Sequence, residues 1–207
     1  VLNFCRDLNN YSIRGSHVQW PRYPLLMLSS EEARKIFDTA EQIFSADSVS
    51  QTVNRMAADI TAALSDEYPL VLSVMGGAVV FTGQLLPLLE FPLTFDYLHV
   101  SRYDNRIQGS ELDWKMSPHE DVCNRVVLVL DDILDEGVTM AAIRDWIMNR
   151  GAKAFYSAVL AEKEIARPKP IRADFVGLVV PDRYVFGFGM DIYGVWRNLP
   201  AIYAVKA

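Results

Sequence analysis

Cysteine is nearly absent from this chain: there are two in 207 residues, Cys5 and Cys123, far apart and without metal-site spacing. A disulfide framework is therefore not expected, and a reduced, cytoplasmic protein is the simplest expectation. Long apolar runs are missing as well. None approaches the ~18 residues that span a bilayer, and no basic-then-apolar leader opens the sequence. Positive charge is in short supply, with 20 Lys and Arg against 26 Asp and Glu, a net charge of −6. That argues against a general nucleic-acid binder, so anionic ligands would have to be held locally, by amides and metal. No G-x-G-x-x-G opens a helix after a strand, which removes a nicotinamide-dependent dehydrogenase. What is present is ordinary for a soluble globular protein: 51% hydrophobic and 22% charged residues, enough for one domain with a sizeable core and a small lobe.

The most informative stretch is residues 125–140, RVVLVLDDILDEGVTM. Val126, Val127, Leu128, Val129 and Leu130 have the composition of a fully buried strand. Two adjacent carboxylates, Asp131 and Asp132, are expected to end it, followed by Asp135, Gly137 and Thr139. The period then turns helical, with Met140, Ile143, Trp146 and Ile147 on one side and Gly151 as the stop. A strand, a polar loop and a helix start form the place where an open α/β sheet binds ligands. Amides there can hold a phosphate, and the acids can grip sugar hydroxyls or a hard cation such as magnesium.

Elsewhere the pattern is that of an α/β chain. Residues 1–24 show no clean period and read as an irregular arm packing on the body or on a neighbouring subunit. Ser29-Ser30-Glu31-Glu32 is a capping box, and Ala33, Ile36, Phe37, Ala40, Ile43 and Phe44 continue it at helical spacing. Val53, Met56, Ala57, Ile60 and Leu64 line a second helix. Residues 69–74 read as a buried strand running into Met75-Gly76-Gly77, then an apolar helix to about residue 89. Residues 93–101 alternate as a strand. Residues 104–121 are polar, acidic and long for a connection, as a lid or a surface hairpin would be. Residues 154–161 and 175–180 read as further strands.

The 125–140 stretch closely resembles the phosphoribosyl-pyrophosphate signature of type I phosphoribosyltransferases: two acids closing a hydrophobic strand, then D-x-G-x-T, here Asp135-Glu136-Gly137-Val138-Thr139. The C-terminal part, with Pro181-Asp182, Tyr184, Val185, Gly187, Asp191 and Arg197-Asn198-Leu199, resembles the purine-binding and metal segment of bacterial-type hypoxanthine-guanine phosphoribosyltransferases. The likeness runs over residues 28–205. It implies a mostly parallel central sheet flanked by helices, with a hood contributed by residues 163–207 and a mobile lid at 101–121 opening on Ser101-Arg102-Tyr103.

By the same resemblance, a Mg²⁺-dependent transfer of the phosphoribosyl group from phosphoribosyl pyrophosphate to hypoxanthine or guanine is expected, with purine nucleotide and pyrophosphate as products. Asp135 would take a proton from the imidazole ring of the base. Glu136, Gly137, Val138 and Thr139, with Asp135, would hold the 5′-phosphate. Asp131 and Asp132 would hold ribose hydroxyls, directly or through metal. The backbone at Met75 and Gly76 would contact pyrophosphate beside Arg197, often in this family through a non-proline cis peptide, here matched to Val74-Met75. Lys163 would point its ammonium at the exocyclic oxygen of the purine, Tyr184 would stack on the ring, Val185 would contact it through backbone, and Asp191 would coordinate a second magnesium. A homodimer or homotetramer is expected on the same ground. Two departures stand out: Met75 replaces a common lysine, and Glu136 replaces a threonine or serine, with its carboxylate expected to point out. They keep open a second reading, a regulatory protein that binds phosphoribosyl pyrophosphate or nucleotide without turnover.

Overall fold

The structure, a computed structural model, describes residues 28–102 and 112–206. The arm at residues 1–24 and the lid residue Tyr103 lie outside the described residues; Ser101 and Arg102 belong to the backbone of a strand.

Ten residues after a Ser29 cap form α1 (Ser30–Thr39), with the capping box complete in both directions. The helix stops there. Ala40 is extended, at φ −72° and ψ 159°, and residues expected to continue the helix form β1 (Glu41–Phe44) instead. Then come α2 (Ala46–Leu64), β2 (Leu70–Met75), α3 (Val79–Leu85), a short 3₁₀ turn, β3 (Thr94–Arg102) and β4 (Leu112–Met116). β4 takes up part of what the sequence suggests is one long loop. It pairs antiparallel with β3 because Trp114 and Met116 lie across from Val100 and His99. The rest is β5 (Val126–Leu134), α4 (Val138–Met148), β6 (Ala154–Lys163), β7 (Phe175–Val180), β8 (Val185–Phe186) and β9 (Ile202–Ala204).

Six strands form the main sheet in the order β4-β3-β2-β5-β6-β7, parallel except for β4. β5 is buried on both faces. Val126, Leu128 and Leu130 pack with Val53, Met56, Ile60 and Phe81 of α2 and α3. Val127 and Val129 pack with Met140, Ile143 and Ile147 of α4. Each such side chain contributes about 1.5–3 kcal/mol by leaving water, which explains why a continuous apolar run sits at the centre of the sheet. The strand does not end at the acid pair, as expected, but continues to Leu134. β6 supplies pairing partners that far, Val159 for Asp131 and Glu162 for Leu134. Two acids therefore lie inside a buried strand.

A second sheet, β1-β9-β8, is antiparallel and stands over the α2/α3 side, its Val185, Ile202 and Ala204 joining the same core. It draws β1 from well before residue 163. α1 leans on it through Phe37, whose ring lies 5.1 Å from both Trp196 and Tyr203, and the Trp196 indole donates to the Ala33 carbonyl at 2.8 Å.

Candidate active site

The chain leaves β2 for β3 on one side and leaves β5 for β6 on the other. Between the carboxyl ends of β2 and β5 the topology switches, and a crevice opens where such sheets bind ligands. The loops at that place are Met75-Gly76-Gly77 and residues 135–139.

In the second loop Gly137 caps α4 from the left-handed region, φ +79°, and has no side chain to occupy the first amides of the helix. No acidic residue lies in the first turn of α4, so its positive end is not cancelled there. A cavity of about 190 Å³ is lined by Asp131, Ile133, Leu134, Asp135, Gly137, Thr139 and Met140. It lies at the start of α4, where backbone amides can receive an oxyanion or phosphate. Glu136 does not line this cavity: its carboxylate pairs with the exposed Arg167. The outward direction expected for it agrees with that contact.

Asp131 and Asp132 sit beside this loop, both enclosed. Burial, and after it the neighbouring Asp132 charge, pushes the Asp131 carboxyl well above the ordinary carboxylate range. Asp132 is also raised by burial, with the Asp131 side chain, the Ile133 amide and the Arg197 charge pulling the other way. Two buried carboxylates side by side resist ionising together. An oxygen-seeking divalent cation would relieve that repulsion, and the donor set is of the hard type magnesium takes. Among the described residues no three His, Cys, Asp or Glu side chains converge on one point. The pair thus fits a cation that also draws ligands from a bound substrate rather than from a closed protein cage.

The first loop faces this pair. The cis peptide bond lies at Met75-Gly76, one residue later than expected from the sequence. The likeness places the loop without fixing which of its bonds is cis. Gly77 is pressed against the Asp132 carboxylate, where any Cβ would overlap it, whereas a Cβ at Gly76 would meet open space. Gly189, at φ +103°, is pressed in turn against the Gly77 carbonyl. A chain of close approaches therefore joins Asp132, the 75–77 loop and the hood.

The hood brings its own groups to the crevice. Arg197 donates to the Gly189 carbonyl at 2.7 Å and pairs with Asp191 at 2.5 Å. The other Asp191 oxygen accepts from the Gly194 amide at 2.7 Å, so Asp191 closes a turn, not a helix cap. Tyr184 is half exposed and stacks on Tyr193, ring centroids 6.0 Å apart and planes 29° apart. Burial, followed by the Asp191 charge, raises the Tyr184 hydroxyl above its usual value. Val185 is buried beneath. Across the crevice Lys163, at the end of β6, donates to Asp135 Oδ2 at 2.8 Å.

The crevice thus gathers Met75, Gly76, Asp131, Asp132, residues 135–139, Lys163, Asp191 and Arg197 from distant parts of the chain. The sequence marks Gly77 only as part of the Met75-Gly76-Gly77 loop and does not mark Asp96 at all. Asp96 is enclosed, which raises its carboxyl, yet the amides of Glu120, Tyr97 and His119 outweigh this and lower it below the usual range. Those bonds measure 3.0, 2.8 and 2.6 Å and tie the segment after β4 to β3. No local signal marks such an anchor, because two of its three donors are 23 and 24 residues away.

Residues 39–193 match the family described as the phosphoribosyl transferase domain. Among curated relatives, the hypoxanthine-guanine phosphoribosyltransferase of Bacillus subtilis (strain 168) is 31% identical over 170 residues, 82% of this chain and 94% of that protein. The hypoxanthine-guanine-xanthine phosphoribosyltransferase of Tritrichomonas foetus is 30% identical, over 82% of this chain and 93% of its own length. A solved hypoxanthine-guanine-xanthine phosphoribosyltransferase superposes with a TM-score of 0.75 at 29% identity, covering 82% of this chain and 99% of that one.

Proposed function

Since the chain belongs to the phosphoribosyl transferase family, we propose that its crevice transfers the 5-phosphoribosyl group from phosphoribosyl pyrophosphate to hypoxanthine or guanine, a purine salvage reaction. The observation that carries this reading is the 135–139 loop: a helix start with no side-chain cap and a cavity of about 190 Å³, set between a buried acid pair and a lysine–aspartate pair.

In the reaction a purine imidazole nitrogen bonds to the anomeric carbon as the bond from that carbon to pyrophosphate breaks. The ring proton goes to Asp135, a general-base role worth about 10²–10⁴ in rate. The amides of Glu136, Gly137, Val138 and Thr139 hold the 5′-phosphate, which fixes the sugar in line. Asp131 and Asp132 hold the ribose hydroxyls. The backbone at Met75 and Gly76 and the Arg197 guanidinium face the departing pyrophosphate, where negative charge builds. Lys163 donates to the exocyclic oxygen of a 6-oxopurine; an ammonium only donates, so an amino group there has nothing to accept it. Tyr184 stacks on the ring and Val185 meets its edge through backbone. Asp131 and Asp132 would hold one magnesium ion and Asp191 a second, and bound there the metal would supply positive charge against the leaving group.

The contact of Glu136 with Arg167 supports catalysis over the binding-only alternative, because it keeps the carboxylate off the phosphate cavity. Among the described residues no helix is long and apolar enough to cross a membrane. Cys123 is a free thiol, which suits a reduced, cytoplasmic setting. The partners are phosphoribosyl pyrophosphate and the base, with no nucleic acid, and we read the assembly as a homodimer or homotetramer.

The test is turnover of phosphoribosyl pyrophosphate with magnesium and hypoxanthine, guanine, xanthine or adenine in separate reactions, with Asp135→Asn alongside. Nucleotide formation from hypoxanthine or guanine, little from adenine, and a large loss in the variant are expected. Tight binding of phosphoribosyl pyrophosphate without turnover on any purine would replace this reading with the regulatory one.

A further inference from the structure

Lys169 lies in the connection from β6 to β7 and has no role in the scheme above. Only 9% of its side chain is exposed, although lysine is almost never enclosed unless paired. Its ammonium donates to the Lys163 carbonyl at 2.6 Å, to the Leu134 carbonyl at 2.9 Å and to Glu162 Oε1 at 3.1 Å. An ammonium has three donors, and all three are used. Pro168 and Pro170 flank it and restrict the backbone that presents it.

The acceptors have a meaning of their own. Leu134 and Glu162 form the last paired register of the β5–β6 ladder. One cation therefore draws together the two strands at the point where their own pairing stops. Leu134 immediately precedes Asp135, and Lys163 carries the ammonium that Asp135 accepts. Gly137 lies against the same loop, where a Cβ would stand 3.4 Å from atoms of Lys169, Pro170 and Ile171.

We propose that Lys169 is a positioning residue for base recognition: by pinning the backbone at Leu134 and Lys163, it sets where the Asp135 carboxylate and the Lys163 ammonium stand, and with them the preference for a 6-oxopurine. This rests on the transferase reading above. A surface lysine would leave those two carbonyls to water. Here their shared partner is fixed by three bonds, so the geometry of the pair depends on a residue that does not itself reach the substrate.

The experiment compares Lys169→Met and Glu162→Gln with the wild type, by crystal structure and by kinetics with hypoxanthine and adenine. In Lys169→Met the Lys163–Asp135 contact opens, the KM for hypoxanthine rises about tenfold, the oxo-over-amino preference falls by a similar factor, and the KM for phosphoribosyl pyrophosphate stays within about twofold. Glu162→Gln keeps both carbonyl bonds and stays near wild type in all of these. A purely structural lysine would lower the active fraction for both bases alike and leave KM and preference unchanged; that result, with the 2.8 Å contact retained, overturns the proposal. So does a Glu162→Gln variant that reproduces the Lys169 losses, because the carbonyl bonds would then not be the cause. A wild type that transfers to no purine overturns the transferase reading instead, while the crystal structure of Lys169→Met still decides whether Lys169 holds the pair.

Discussion

The ammonium of Lys163 and the carboxylate of Asp135, 28 residues apart in the chain, are joined by a 2.8 Å hydrogen bond at the mouth of the phosphate loop. The two groups expected to meet the base are thus each other's partner in the free protein. On the proposed reading a 6-oxopurine would replace that bond with two, its oxygen accepting from Lys163 and its ring N–H donating to Asp135. Adenine offers only the second. Lys163→Met should therefore cut kcat/KM for hypoxanthine about 10–100-fold, the loss of one charge-assisted bond, and leave the adenine value nearly unchanged. Equal losses on both bases in steady-state assays would show that the ammonium does not read the exocyclic position.

The acid pair gives the stability a pH dependence. Asp131 has a folded-state pKa raised above its unfolded value of ~3.9, so the folded chain holds that proton more tightly than the unfolded one. Its favourable contribution is complete below pH ~4 and is lost as pH rises toward the folded pKa. Without divalent cation, Asp131→Asn should therefore gain on the wild type as pH rises from 5 to 8. A gain of about 3 °C in Tm at the upper end corresponds to ~1 kcal/mol in a domain of this size. Magnesium with phosphoribosyl pyrophosphate should close the gap by stabilising the charged wild-type pair. Melting curves with a difference independent of pH would refute the assignment.

Glu136 places a carboxylate, paired with Arg167, beside the loop proposed to hold the 5′-phosphate. Glu136→Thr removes that charge and adds a hydroxyl donor. The KM for phosphoribosyl pyrophosphate should fall about three- to tenfold, with kcat for hypoxanthine little changed. A rise in KM would mean that the Glu136–Arg167 pair supports the loop rather than opposing its ligand.

Gly77 is pressed against the Asp132 carboxylate, whereas Gly83, within α3, has nothing within 4 Å of where a Cβ would stand. Gly77→Ala should displace Asp132 and lower kcat/KM by a factor on the order of 100, as misplacement of a positioned group does. Gly83→Ala should keep full activity and gain ~0.5–1 kcal/mol of stability in denaturant titration. Equal behaviour of the two variants would rule out the close approach as the reason for glycine at position 77.

Local chemistry was legible in the sequence where it is self-contained. The apolar run of β5, the D-x-G-x-T loop and the period of α4 lie within 24 residues and carry their patterns in their own composition. What could not be read depends on partners far away. Ile43 and Phe44 keep helical spacing, yet they lie in β1, whose pairing with β9 overrides the local preference. Asp131 looks like a strand end until β6 is laid beside it. Lys169 reads as one charge in a proline-rich loop, and only its three acceptors, on two strands, reveal why it is enclosed.

The hood is stitched from the two ends of the domain: Gln42 lies opposite Tyr203, and their side chains meet at 3.2 Å. On a ribosome the order of assembly follows. All six strands of the main sheet, with both loops between β2 and β5, have been synthesised by residue 180. The β1–β9 seam cannot close until residue 204 has emerged, and closing so long a separation comes late because its entropy must be lost before its contacts form. A nascent chain would have the 135–139 loop and the Lys163–Asp135 pair in place before the hood could close over them.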